Sequence, residues 1–539
     1  MTTLRRTLVG GPPGAGGYRR LVPGPGSAHV VREDLAPVGD ATEPLLAVTH
    51  VSDLHLCDAQ SPARVEMLDR WSDPDSPIRD VVGEIGTYRA QEMLTAQVAA
   101  AWVEAANSST EGPVSGRAID LAVVTGDNTD NGQANELDWY LALLDGGTVA
   151  ADSGDPRRWD GVGARDCHDE RYWHPDGLLP DLARTEFGFP VVRGLLDVAR
   201  APVASAGLDV PWLAVHGNHD NLLQGTVPGR GRLRGWSVGG RKPVALPPDL
   251  SVPEIERLLE GLASCTPASL EVLARATTRS VAADPARRLT SLEEFVTAHD
   301  TPRARPARHG FPPDRRSYYS HDVGPVRFVV LDTVNPYGGW QGSLDLGQLD
   351  WLDDVLTQAD AEERYVVLAS HHPLGTLVND IAAPDASPRV LGPAMSSLLA
   401  RHPCVVLWLN GHTHRTSLEP HGTWWEVTAP SLIDWPQQGR VVEILRGPAT
   451  LTIAVTMLDH AGEAPWAGGL DGVVALAGLS RELAANDWQT RVADLDAHPR
   501  AGFPQERNAL LALRDPWATG GQRRSRVEGS RKRRPTVEV

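Results

Sequence analysis

The chain has 539 residues, 41% of them hydrophobic, which is enough to bury a large core and excludes a disordered protein. Its net charge of -18 repels phosphodiester backbones and argues against extended nucleic acid as the partner. No apolar run is long enough to span a membrane, and the segment after Arg5-Arg6 is too short and breaker-rich for a signal core, so the chain as written is expected in the cytoplasm, with export only from an upstream start.

Residues 1–44 are rich in Gly and Pro and are predicted to be an irregular lead-in. The core is expected over 45–460. It opens with the apolar run Leu45 to Ser52, which ends in Asp53-Leu54-His55. The same design recurs at IDLAVVTGD, VPWLAVHGNHD, RYVVLASHHP and HPCVVLWLNGHTH, giving five apolar runs that each end in polar residues. Strand ends that converge on one rim are how layered α/β proteins build sites. Tyr88 to Asn107 carries Leu94, Val98, Trp102 and Ala105 at helical spacing and reads as scaffold. Two stretches read as insertions, about 131–205 and 222–318, and Trp424 to Val455 alternates as a second sheet would. Residues 461–515 are expected to form a helical extension, and 516–539 a basic, disordered tail that could touch nucleic acid or an acidic partner. The cysteines Cys57, Cys167, Cys265 and Cys404 are scattered and read as reduced structural thiols.

The chemistry lies in the motif ends. Asp53 and His55, two apart in an extended segment, would point the same way. Asp127, after Gly126, could bridge two cations through its two oxygens. Asn218 adds an amide oxygen, and His219, His371-His372, His412 and His414 add imidazoles. So many polar groups on one rim would repel or stay unsatisfied unless metal ions lie among them. Nitrogen and oxygen donors without thiolates point to Mn, Fe, Zn or Co. Two ions about 3.5–4 Å apart would activate a water between them, and phosphoryl hydrolysis is the natural reaction.

In this order, DxH, GDxxD, GNHD, HHP and GHTH resemble the signature set of the calcineurin-like metallophosphoesterases. The resemblance implies a layered α/β fold, a four-layer αββα sandwich here carrying two long insertions. It implies one metal on Asp53, His55, Asp127 and His414, and another on Asp127, Asn218, His371 and His412. The reaction implied is in-line attack on a phosphate ester by a metal-bridging water or hydroxide. His219 would act near the leaving group as proton donor or phosphate contact, oriented by Asp130, with Asp220 as the alternative. His371, two before the proline, is preferred to His372 as ligand. His50, His216, His321 and His402 have no place in the pattern and are read as structural. The long gaps between motifs resemble a long-insert bacterial subfamily whose members often carry a twin-arginine signal; none is expected in the sequence as written.

Specificity is expected from walls around the metals, with Tyr172, Trp173, His174, Asn221, Gln224, Trp340, Asp434 and Trp435 as candidates. A small-molecule phosphodiester is favoured slightly over a monoester. The rivals are a nuclease using the basic tail and a catalytically silent scaffold that binds a partner through its inserts.

Overall fold

The computed structural model describes residues 1–518 apart from 72–75, 80–84, 230–231, 248 and 264–265; Cys265 and most of the expected tail, 519–539, lie outside the described residues. Two sheets carry the architecture. The seven-stranded sheet runs, edge to edge, Val30–Arg32, Ala509–Arg514, Thr450–Asp459, Gln438–Arg446, Glu43–Val51, Leu121–Val124 and Trp212–Ala214. Its last three strands are parallel to one another, and Gln438–Arg446 runs antiparallel to Glu43–Val51. The six-stranded sheet runs Tyr319–Val323, Val326–Val330, Tyr365–Ala369, Val405–Asn410, Trp424–Thr428 and Ser417–His421, parallel through its four middle strands.

Side-chain alternation stacks these sheets. Phe328, Val367, Leu407 and Val427 face the seven-stranded sheet and share one core with Leu46, Val48, Val442 and Ile453. The Trp425 indole donates to the Ala512 carbonyl across that interface (3.1 Å). Residues of opposite parity, Val329, Val366, Leu368 and Trp408, pack outward against Leu352 and Leu356 of the helix Leu346–Ala361 and Met395 and Leu398 of the helix Gly392–Leu399. The helix Thr95–Ser108 covers the other sheet, burying Val98, Trp102 and Ala105, and packs against the helix Gly472–Ala484. Helix, sheet, sheet and helix are therefore the four layers.

Three boundaries differ from expectation. Residues 1–44 are not irregular throughout. Arg6–Pro13 and Arg19–Pro25 pair as a hairpin, and Val30–Arg32 joins the edge of the larger sheet. The prolines that argued against strands are tolerated because a two-stranded ribbon pairs each strand on one side only. The stretch 461–515 is helical over Gly472–Ala484, but Ala509–Arg514 is a strand between Val30–Arg32 and Thr450–Asp459. Its ALLALR sequence favours helix locally, and two-sided burial in the sheet overrides that preference. Finally, the first expected insert begins with the helix Ala134–Asp145, whose Leu137, Tyr140 and Leu144 belong to the main core.

Cys57 and Cys404 are buried free thiols and Cys167 is a partly exposed one. Among the described residues no helix is long and apolar enough to cross a membrane.

Candidate metal centre

All the motif residues lie beyond the C-terminal ends of parallel strands. Asp53 and His55 follow Glu43–Val51, Asp127 follows Leu121–Val124, and Asn218 follows Trp212–Ala214 in one sheet; His371 follows Tyr365–Ala369, and His412 and His414 follow Val405–Asn410 in the other. The site thus lies where the two sheets meet at their rims.

The local backbone is not the extended one expected for Asp53 and His55. Both have positive φ (54° and 46°), as do Asp127 (49°), His412 (68°) and His414 (53°). Side chains rarely adopt this region, and such strain concentrates where surrounding structure fixes a functional geometry. Close packing holds the loops there: a Cβ on Gly217 would lie 2.1 Å from the Asp127 nitrogen, and one on Gly411 2.4 Å from Asp53 Oδ2.

The side chains converge on a shared carboxylate. His55 Nε2 lies 3.1 Å from His414 Nε2 and 3.8 Å from Asp127 Oδ2, and His414 Nε2 lies 3.4 Å from Asp53 Oδ1. On the other side His371 Nε2 is 3.1 Å from the same Asp127 oxygen and 3.2 Å from His412 Nδ1. Asn218 is buried with its Oδ1 unpartnered, while its Nδ2 donates to the Gly225 carbonyl (2.9 Å) and fixes the amide's orientation. A buried carbonyl oxygen without a donor is costly.

Acceptor-only neighbours fix the tautomers. Asp130 Oδ1 takes the Nδ1 proton of His55 (3.0 Å), Asp434 Oδ2 that of His414 (2.6 Å), and the Thr125 carbonyl that of His371 (2.9 Å). Each ring therefore turns its Nε2 toward the same space, as metal-ligating histidines do. The donor set, imidazole nitrogen with carboxylate and amide oxygen, fits Mn, Fe or Zn and offers no thiolate for a structural zinc. His372 is different. It lies close enough to His371 and His412 to share a cluster with them, but its Nδ1 bonds the Thr333 hydroxyl (2.8 Å) and its Nε2 donates to the Trp340 carbonyl (3.0 Å), so both nitrogens are already engaged.

The electrostatics favour positive charge here. Burial pushes the Asp127 carboxyl up, but His371, His219 and His55 hold it well below the usual carboxylate range. Burial likewise opposes a charged His371, yet Asp127 and Asp53 raise it to about 9.

His219 and Asp130 are together, but not as expected. The His219 Nδ1 donates to the backbone carbonyl of Asp130 (2.6 Å), while the Asp130 carboxylate is taken by His55 and by Arg64 (3.2 Å). Asp130 thus orients His55 through its side chain and His219 only through its main chain. Asp220 does not orient His219 either. Its carboxylate accepts from the backbone nitrogens of Asn128 (2.8 Å), Thr129 (3.0 Å) and Gly217 (2.8 Å), tying two motif loops together.

Sequence reasoning missed the charges behind the cluster. Arg64, fully buried, joins Asp130 to Glu92 (2.6 Å), and Glu92 also accepts the Arg89 backbone nitrogen (3.0 Å). Arg89 in turn pairs with Asp434 (2.7 Å), and Arg500 contacts the same carboxylate. The partners of His55 and His414 are thereby linked through one buried glutamate. Asp434, expected to face substrate, instead positions His414.

The centre opens into a cavity of about 370 Å³ bounded by His55, Asp127, Asn218, His219, Gln224, Arg89, Thr226, Trp340 and Thr376. Gln224 and Trp340 line it. Tyr172 and Trp173 do not, being buried with Phe189 and Leu479 in a separate cluster; His174 bonds the Asp169 carbonyl, and Trp435 packs beside Leu21 and Leu495. Asn221 lines a different depression. His50 bonds Thr125, His216 pairs with Asp332, His402 pairs with Asp353 and Asp360, and His321 is a residue of the edge strand Tyr319–Val323.

No family model matches the chain. A manganese-dependent ADP-ribose/CDP-alcohol diphosphatase from Xenopus tropicalis is 36% identical over 121 residues, 21% of this chain and 30% of the relative. Its Xenopus laevis counterpart is 32% identical over 107 residues, 19% of this chain and 28% of the relative. The chain thus spans less than a third of the length of these curated relatives. Among solved structures, a dimetal phosphatase from Danio rerio is 13% identical over 78% of this chain and all of that one, with a TM-score of 0.35. The protein is therefore a layered α/β chain with a buried nitrogen and oxygen donor cluster at its sheet rims, and 21% of it is similar to a manganese-dependent diphosphatase.

Proposed function

We propose that the chain is a binuclear metal-dependent phosphoesterase. The observation that carries this reading is the Asp127 carboxylate at the junction of two donor groups, with the orphaned Asn218 oxygen beside it. Asp53, His55, Asp127 and His414 would hold one ion, and Asp127, Asn218, His371 and His412 the other. Bound there, two divalent ions would supply Lewis acidity toward phosphoryl oxygens and a strong oxygen nucleophile at neutral pH. Manganese is the metal named for the relatives, and the donor set suits it. The long stretches between motifs support placement with a long-insert branch of the calcineurin-like metallophosphoesterases.

A phosphorus bearing two ester or anhydride substituents is the favoured substrate. ADP-ribose and CDP-alcohols, named for the relatives, both contain such a group. In manganese the chain should hydrolyse bis-p-nitrophenyl phosphate faster than p-nitrophenyl phosphate, and removing manganese should abolish both activities. A faster monoester rate would overturn the diester preference, and no metal-dependent turnover on either would overturn the reading.

An in-line displacement leaves an oxygen that needs a proton, and His219, at the cavity wall, is the side chain available to give it. Because its Nδ1 proton is held by the Asp130 carbonyl, donation from Nε2 requires the doubly protonated ring. Burial disfavours that form, and an arriving phosphate's negative charge favours it. His219→Ala should keep its metals and lose about 10²-fold in kcat, with a larger loss for phenyl than for p-nitrophenyl leaving groups. Equal losses for both leaving groups would remove the proton-donor role.

A further inference from the structure

Trp340 is 49% exposed, although it borders the cavity that holds the donor cluster. One face of its indole lies along His412, with centroids 5.7 Å apart and planes inclined 23°. Its other face is open at the mouth of the cavity, beside the donor cluster.

The loop that carries it is fixed on every side. Gly338 and Gly339, with φ of 102° and 84°, turn the chain so that the indole stands at the mouth. Asn379 Nδ2 donates to the carbonyls of Gly338 (2.8 Å) and Gln341 (2.9 Å), and its own oxygen accepts from Asn335 (2.9 Å). The Gly339 nitrogen donates to the Thr226 carbonyl (2.9 Å), and buried His372 holds the Trp340 carbonyl (3.0 Å). The indole is thus held ready beside a metal ligand rather than lying on the surface by chance, which reduces the ordering cost of stacking a ring upon it.

We propose that Trp340 determines specificity by stacking an aromatic or heteroaromatic ring of the organic group attached to phosphate. This rests on the phosphoesterase reading, since the donor cluster is taken to seat the phosphate while the ring lies on the indole. Stacking of this kind accepts many ring types, because every base presents a π face. Ile85, Thr226 and Thr376 line the cavity as well, together with the polar Arg89 and Gln224.

The test uses two probes that share one phosphate ester and differ only in the ring, adenosine 5′-monophosphate and ribose 5-phosphate. Their affinities for the full chain, with and without manganese, are measured by calorimetry for wild type, Trp340→Ala and Trp340→Phe. The expected result is tighter binding of the adenine compound to wild type, a loss of about tenfold in Trp340→Ala, and recovery of most of it in Trp340→Phe. Ribose 5-phosphate should bind all three proteins alike. Equal affinity of wild type for the two probes would overturn the proposal. So would equal weakening of both in Trp340→Ala, which would mean that the indole only supports His412. Loss of the phosphoesterase reading has a separate readout, the absence of manganese uptake and turnover in wild type. In that case the difference between the two probes without manganese still decides whether the ring is stacked.

Discussion

Asp127→Asn is expected to lower kcat/KM on bis-p-nitrophenyl phosphate by about 10³-fold or more, and to reduce bound metal as well. Asn has nearly the same shape, so the loop can keep its backbone, including the His219 nitrogen that donates to Asp127 Oδ1 (2.8 Å). What is lost is the negative charge at the atom that faces His55 and His371 together. An amide offers one oxygen and presents an N–H₂ group where the second would be, which repels a cation. Circular dichroism should show an intact fold, and elemental analysis should show the lost metal. A variant that keeps both its metal and its rate would mean that Asp127 is not the shared ligand.

Arg64→Met should destabilise the protein by about 3–5 kcal/mol, because it leaves two buried carboxylates without their shared cation. Arg64 is fully buried and donates to Glu92 (2.6 Å), Gln224 (2.9 Å) and the Thr87 carbonyl (2.6 Å), and it pairs with Asp130 at 3.2 Å. Burial pushes the Asp130 carboxyl up, and the Arg64 charge together with the His55 hydrogen bond holds it below the usual range. Without the guanidinium, Asp130 is a poorer acceptor for His55, so manganese affinity should fall about 10–100-fold as well. Pairing Arg64→Met with Glu92→Met should recover part of the stability, since one stranded charge is then removed, and the two effects should be strongly non-additive. Urea denaturation of metal-free protein measures the first effect and a manganese titration the second. Unchanged stability in the single variant would contradict the buried network.

The cluster residues were legible in sequence because each follows an apolar run: Asp127, Asn218, His371 and His412 follow strands of three to six residues in two sheets. The reason given for Asp53 and His55 was wrong even though both residues reach the cluster. They lie past the strand end in left-handed conformation, a region that Asp and His enter more readily than most side chains. The sheet edges were misread where local preference and tertiary pairing disagree, as at Ala509–Arg514 and in the Gly/Pro-rich hairpin. Trp173 reads in sequence as a candidate wall of the site, yet it is buried against Phe189, with its indole donating to the Pro190 carbonyl (3.1 Å). Arg64, Glu92, Arg89 and Asp434 carry no motif at all. Their roles arise only when the chain brings distant segments together, and buried charge pairs of this kind have no periodic signal.

The most direct test is the manganese content of the purified chain by elemental analysis, after loading and exhaustive dialysis, with Asp127→Asn alongside. About two ions per chain in the wild type and fewer in the variant is the expected result. No retained metal in either protein, with both folded, would contradict a binuclear centre at these sheet rims.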